Sequence, residues 1–132
     1  LEFEIMKLHA QIGADTIEKA ELRLGVFSPL LSAAREIALS HHEYWDGSGY
    51  PQGLKGEEIP LGARLVALAD VYDALIHRRI YKPAFPHHLA VEQIAGLRGI
   101  QFDPEITDVF LAHAEAFLHI AKTYANPFQM PG

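Results

Sequence analysis

Three histidines and one aspartate offer the most specific chemistry in this sequence. His9 falls one turn after Ile5 and three residues before Ile12, on the apolar stripe of a helical segment. His41 falls one turn after Ile37 on a second stripe, with His42 beside it. Imidazoles facing a core need partners, because an unpaired buried polar group costs on the order of 1–3 kcal/mol. A backbone carbonyl can satisfy any one of them, but three on the inner faces of two helices point to a metal ion. Asp70 lies between Leu65-Val66-Ala67-Leu68-Ala69 and Val71-Tyr72. A carboxylate buried there must be protonated, paired with a cation or bound to metal. Asp73, three residues on, is placed to hold a ligating histidine in its tautomer or to point to solvent. The chain has no cysteine, which excludes a disulfide frame, a zinc ribbon and a thiol nucleophile. Imidazole and carboxylate ligands without sulfur suit iron, manganese or zinc, with iron or manganese favoured where carboxylates contribute.

The remaining histidines read as ordinary. His77 follows an apolar helix and should meet solvent, and His87 and His88 sit at a helix start. His113 has no metal-spaced partner, and His119 is a solvated flank.

Two further stretches bear on function. HHEYWDGSGYPQGLKG joins the histidine pair to glycines that let backbone N–H groups approach an anion, with Tyr44, Trp45 and Tyr50 offering flat surfaces for a base. Fused to two candidate ligands, this reads as a substrate-facing loop. Downstream, His77-Arg78-Arg79-Ile80-Tyr81-Lys82 is the densest basic cluster. It complements a helix C-terminus or clamps a phosphate, and Arg79 and Lys82 are close enough to share one.

The elements that must position these groups are helical. The first stripe runs from Ile5 to Ala20 and stops at Gly25. Ser28-Pro29 reads as a cap and first turn for a helix that ends at the histidine pair. Residues 43–59 form a loop, and Pro60 opens PLGARLVALADVYDALI, apolar nearly all round and therefore expected to be central and buried. A shorter helix follows Pro86 to about Gly96, and Asp103-Pro104 caps a last one that carries Ile106 through Ile120. No alternating run suggests a strand. The expectation is an all-α bundle of about five helices, in one domain over residues 1–132. Its 132 residues are 49% apolar and 21% charged, which is globular rather than disordered composition. No segment is long and apolar enough for a membrane span, and the opening residues do not read as a secretory signal. A net charge of −6 argues against coating a nucleic-acid polymer.

The run HHEYWDGSGYPQGLKGEEIP, followed by ALADVYDAL and RRIYKPAF, resembles the HD-GYP family of bacterial cyclic di-GMP phosphodiesterases, and EFEIMKLHAQIGA matches the segment leading to a family histidine. The resemblance covers roughly residues 2–112. It implies an HD-domain-like bundle that holds a di- or trinuclear divalent metal centre, most often of iron, with manganese the other choice. His9, His41, His42 and Asp70 match metal ligands. Arg79 and Lys82 match residues that grip substrate phosphates. Gly49, Tyr50 and Pro51 belong to the signature loop, and Asp73 and Asp46 are the carboxylates expected to orient ligands. The family's His-Asp pair occurs nowhere in this sequence, so the chain is expected to be the C-terminal part of such a domain, with the catalytic residues unassigned. The implied reaction is hydrolysis of cyclic di-GMP to linear pGpG and onward to GMP, with the fragment alone inactive. The implied setting is cytoplasmic two-component signalling, with an N-terminal receiver or sensor domain and a homodimer. The alternative is a non-catalytic cyclic-dinucleotide-binding or interaction module.

Overall fold

The computed structural model describes residues 2–25, 28–77 and 83–123, and the described residues form six α-helices, with no strand among them. Helix α1, Glu2–Leu24, stops at Gly25, whose φ of 65° lies in the left-handed region that side chains disfavour. Helix α2, Pro29–Ser40, begins where the Ser28 hydroxyl accepts a hydrogen bond from the Leu31 N–H at 3.1 Å. The two pack closely because small residues meet. Ala10 and Ala14 are buried, and a Cβ on Gly13 would lie 3.6 Å from the Ala38 Cβ.

Helix α3, Leu61–Ile76, follows Pro60, which caps it rather than forming its first turn. It docks on α2 at Gly62, where a Cβ would come within 3.2 Å of Ile37 Cδ1. Helices α4, His87–Gly96, and α5, Pro104–Ala112, then pack against α3. The core between them is Leu68, Tyr72, Ala90, Ile94, Phe102 and Phe110. The Tyr72 ring meets Phe110 and Phe117 edge-on at 5.5 and 5.7 Å, and its hydroxyl shares a 2.9 Å hydrogen bond with His87 Nδ1. His87, ordinary in the sequence reading, thus satisfies a buried phenol.

Several expectations change. The last helix is two: it breaks at His113, whose N–H is shared between the Val109 and Phe110 carbonyls, and resumes as α6, Ala114–Thr123. Beyond the break Phe117 stands 4.8 Å from Phe110, ring to ring, so aromatic packing accompanies the interruption of the helix. Nor is α3 buried all round. Leu65 is 50% exposed, and the Asp70 side chain is 62% exposed. The α1 stripe also faces outward, with Ile5, His9 and Ile12 exposed. Periodicity identifies which residues share a face, but not whether another element covers it; no described element covers these two.

A buried ion pair ties the start of α3 to the start of α5. Arg64 Nη1 donates to Asp103 Oδ2 at 2.7 Å, and Arg64 Nε donates to the Ile59 carbonyl. The other Asp103 oxygen accepts from the Glu105 and Ile106 N–H groups, capping α5 as its position before Pro104 predicts. Asp103→Ala removes the cap and strands the arginine, and should lower the unfolding free energy by about 3 kcal/mol. Urea unfolding measures this, and Asp103→Asn should lose less because it retains a capping oxygen.

Candidate metal centre and its loop

Helix α2 delivers the histidine pair at its C-terminal end. His41 Nδ1 lies 2.8 Å from the Ile37 carbonyl, which can only accept, so Nδ1 carries the proton and a neutral ring presents a bare Nε2 lone pair. That Nε2 faces Asp70 Oδ2 of α3 across 3.8 Å. Two electron-pair donors at this separation repel unless a proton or another cation lies between them. His42, its ring centroid 4.0 Å from that of His41, is half-buried. Burial first, then the neighbouring His41, pushes the His42 pKa below the ordinary imidazole value, with Asp70 opposing and His9 adding to the decrease. The neutral ring is the form that ligates metal.

These four residues therefore share one electrostatic neighbourhood, but His9 and Asp70 enter it from exposed faces rather than from the core expected for them. Their donor types suit a transition metal, and the His41–Asp70 edge fits one. A complete ligand sphere is not assembled: among the described residues no three His, Asp or Glu side chains are gathered to hold an ion.

The loop after α2 is closed by a residue the sequence reading passed over. Glu43 is 2% exposed, and its two carboxylate oxygens accept from the Gln52 and Leu54 N–H groups at 2.9 and 3.0 Å. The signal was present, since a carboxylate following two ligands enters a loop rich in unpaired backbone donors. The fold-back brings Gly49 onto residues 42–44, where a Cβ would strike the Tyr44 nitrogen at 2.4 Å and the His42 carbonyl at 2.5 Å. Tyr50 donates its N–H to that carbonyl, its ring stacks on His42 with centroids 5.1 Å apart, and the Tyr50–Pro51 peptide is cis. Trp45 is engaged as well, its N–H on the Gln101 carbonyl and the Arg64 guanidinium 6.0 Å from its ring centroid.

Neither carboxylate expected to orient a ligand contacts one of these histidines. Asp46 accepts from the Ser48 N–H and hydroxyl, so it shapes the loop's own turn. Asp73 pairs with His77, whose Nδ1 lies 3.0 Å from its carboxylate and 2.8 Å from its carbonyl; His77 is thus partnered rather than left to solvent. The i, i+4 spacing on one helix makes that local pairing the shortest available. Arg79 and Lys82 lie outside the described residues.

A helical bundle that presents a histidine pair opposite an aspartate, beside a glycine-rich loop, is what the HD-GYP resemblance leads one to expect. The sequence profile of the HD domain family matches residues 2–106, and the chain belongs to that family. Among its relatives, a cyclic di-GMP phosphodiesterase of Vibrio cholerae is 55% identical over 125 residues, 95% of this chain and 25% of its own length. A probable cyclic di-GMP phosphodiesterase of the same species is 52% identical over 95% of this chain and 28% of its own. The solved structure of a cyclic GMP-AMP specific phosphodiesterase of V. cholerae superposes with a TM-score of 0.69 at 28% identity, covering 96% of this chain and 27% of that one. The chain spans about a quarter of the length of the curated relatives it matches.

Two outcomes follow. Glu43→Gln leaves one donor-bearing group where two amides need acceptors, so it should destabilise the loop by about 2 kcal/mol. Hydrogen exchange at the Gln52 and Leu54 amides should speed up accordingly. Because folding holds the His42 pKa below its ordinary value of 6.5, the unfolded chain takes up this proton first as pH falls. The His42 contribution to stability is therefore present above pH 6.5 and lost as pH drops through the folded value. An NMR titration of His42 should give a midpoint below 6.5, with thermal stability declining across the same interval.

Proposed function

We propose that the chain is the C-terminal part of an HD-GYP domain whose activity is metal-dependent hydrolysis of cyclic di-GMP to linear pGpG, and onward to GMP. The observation that carries this reading is His41 Nε2 facing the Asp70 carboxylate across 3.8 Å, next to a His42 biased toward its neutral form. The naming of the V. cholerae relatives as cyclic di-GMP phosphodiesterases supports the substrate.

In this reading His9, His41, His42 and Asp70 would hold part of a di- or trinuclear iron or manganese centre, and a segment bearing the His-Asp pair would supply the rest. When bound, such a centre would acidify water and offset the negative charge that builds on the phosphoryl oxygens. The chain's own residues do the positioning. Ile37 fixes the His41 tautomer, Tyr50 lies against His42 and limits its rotation, and Glu43 keeps the loop folded back on His42. Arg79 and Lys82 would grip the phosphates. An N-terminal receiver or sensor domain, a cytoplasmic setting and a homodimer complete the proposal; among the described residues, no helix is long and apolar enough to cross a membrane.

One observation favours a second reading, a non-catalytic cyclic-dinucleotide-binding module: the described side chains do not gather three ligands. A single comparison separates the two. Metal content and cyclic di-GMP hydrolysis are measured on this chain alone and on the chain preceded by a His-Asp-bearing segment of its family. The phosphodiesterase reading expects little metal and at most residual turnover in the first, and both restored in the second. Dinucleotide binding that survives chelation, with no product from the longer chain, would establish the binding module instead.

A further inference from the structure

Beside the candidate metal ligands lies a cleft of about 350 Å³ between α3 and α6, to which neither the loop nor the histidine pair contributes. Its α3 wall runs through Asp70, Asp73, Ile76 and His77, and its α6 wall presents Phe117 and Ile120. We propose that this cleft is a purine subsite that selects guanine, with Asp73 as the specificity-determining residue. The proposal rests on the cyclic di-GMP reading, which it deepens by saying where a base goes and what reads it.

Three observations carry it. Asp70 lines the cleft and also faces His41, so a base in the cleft sits next to the place where a phosphate would meet the metal ligands. The walls are mostly apolar, and Phe117 supplies an aromatic surface, which suits a flat heterocycle. The α3 wall carries two exposed carboxylates, of which Asp70 is turned to His41; that leaves Asp73, 65% exposed and held in place by its pairing with His77 without being buried, to meet a base. An ionised carboxylate accepts hydrogen bonds and donates none. Guanine offers it two adjacent donors, the N1–H and the 2-amino group, whereas adenine turns a lone pair at N1 toward the same spot. A site built on such a pairing disfavours the base that lacks the donors, because the carboxylate is left facing an acceptor.

The test uses nucleosides, which carry no phosphate, in the presence of a chelator, so that base recognition is read apart from metal chemistry. With the isotopically labelled chain, guanosine should produce saturable amide shifts at Ala69, Asp73, Phe117 and Ile120. Adenosine should bind at least about tenfold more weakly. Asp73→Asn should erase the preference at an unchanged melting temperature, and Asp73→Glu should retain a preference for guanosine. The inference is overturned if guanosine shifts none of these amides, if adenosine matches it, or if Asp73→Asn still discriminates. Should Asp73→Asn fail to fold, the comparison of the two nucleosides on the unaltered chain decides alone. Guanosine selectivity without hydrolysis by the longer chain would keep the subsite and remove the proposed activity. Hydrolysis without selectivity would do the reverse.

Discussion

The geometry of the candidate site depends on one buried negative charge. Glu43 lies at the junction where α2 gives way to an irregular loop, and both its oxygens are taken by backbone amides nine and eleven residues further on. A carboxylate removed from water must find such donors or be neutralised. Here they come from the loop itself, so the desolvation of one side chain is offset by the closing of the chain around it. Closure presses Gly49 against the backbone of residues 42–44 and sets Tyr50 on the His42 ring. Packing of the bundle alone does not specify this path, because the loop contributes none of the core cluster.

A second constraint operates between helices. The Arg64–Asp103 pair joins α3 to the cap of α5, and Arg64 also holds the Ile59 carbonyl at the loop's far end. The Trp45 and Asp46 amides bond to the carbonyls of Gln101 and Ile100, in the turn that precedes Asp103. The loop is thus anchored twice to the α4–α5 side of the molecule, whereas His41, just before it, faces Asp70 of α3.

The parts of this arrangement that were legible in the sequence are those governed by local chemistry. Ser28-Pro29, Gly25 and Asp103-Pro104 act within one helical turn, and each does what its residue types predict. The histidine pair and the glycine loop were legible for the same reason. The break at His113 was not, because it carries no proline or glycine and goes with tertiary contacts of Phe117. The burial assigned to His9 and Asp70 failed on a different ground. An apolar stripe reports a face suited to burial, and whether the face is buried depends on elements far away in the chain or outside it. Asp73 and Asp46 were read as outer partners of the ligands, yet each satisfies a neighbour within four residues, since short-range pairing loses less chain entropy than a distant one.

Gly62 bears on the site from a distance. With hydrogen in place of a side chain, it lets α3 settle against Ile37, one turn before His41 in α2. The gap between imidazole and carboxylate is therefore gauged by how deeply two helices nest, and not only by the rotamers of the two side chains. Each carbon added at position 62 would wedge the two helices apart and widen the space between His41 and Asp70, with neither of those residues altered.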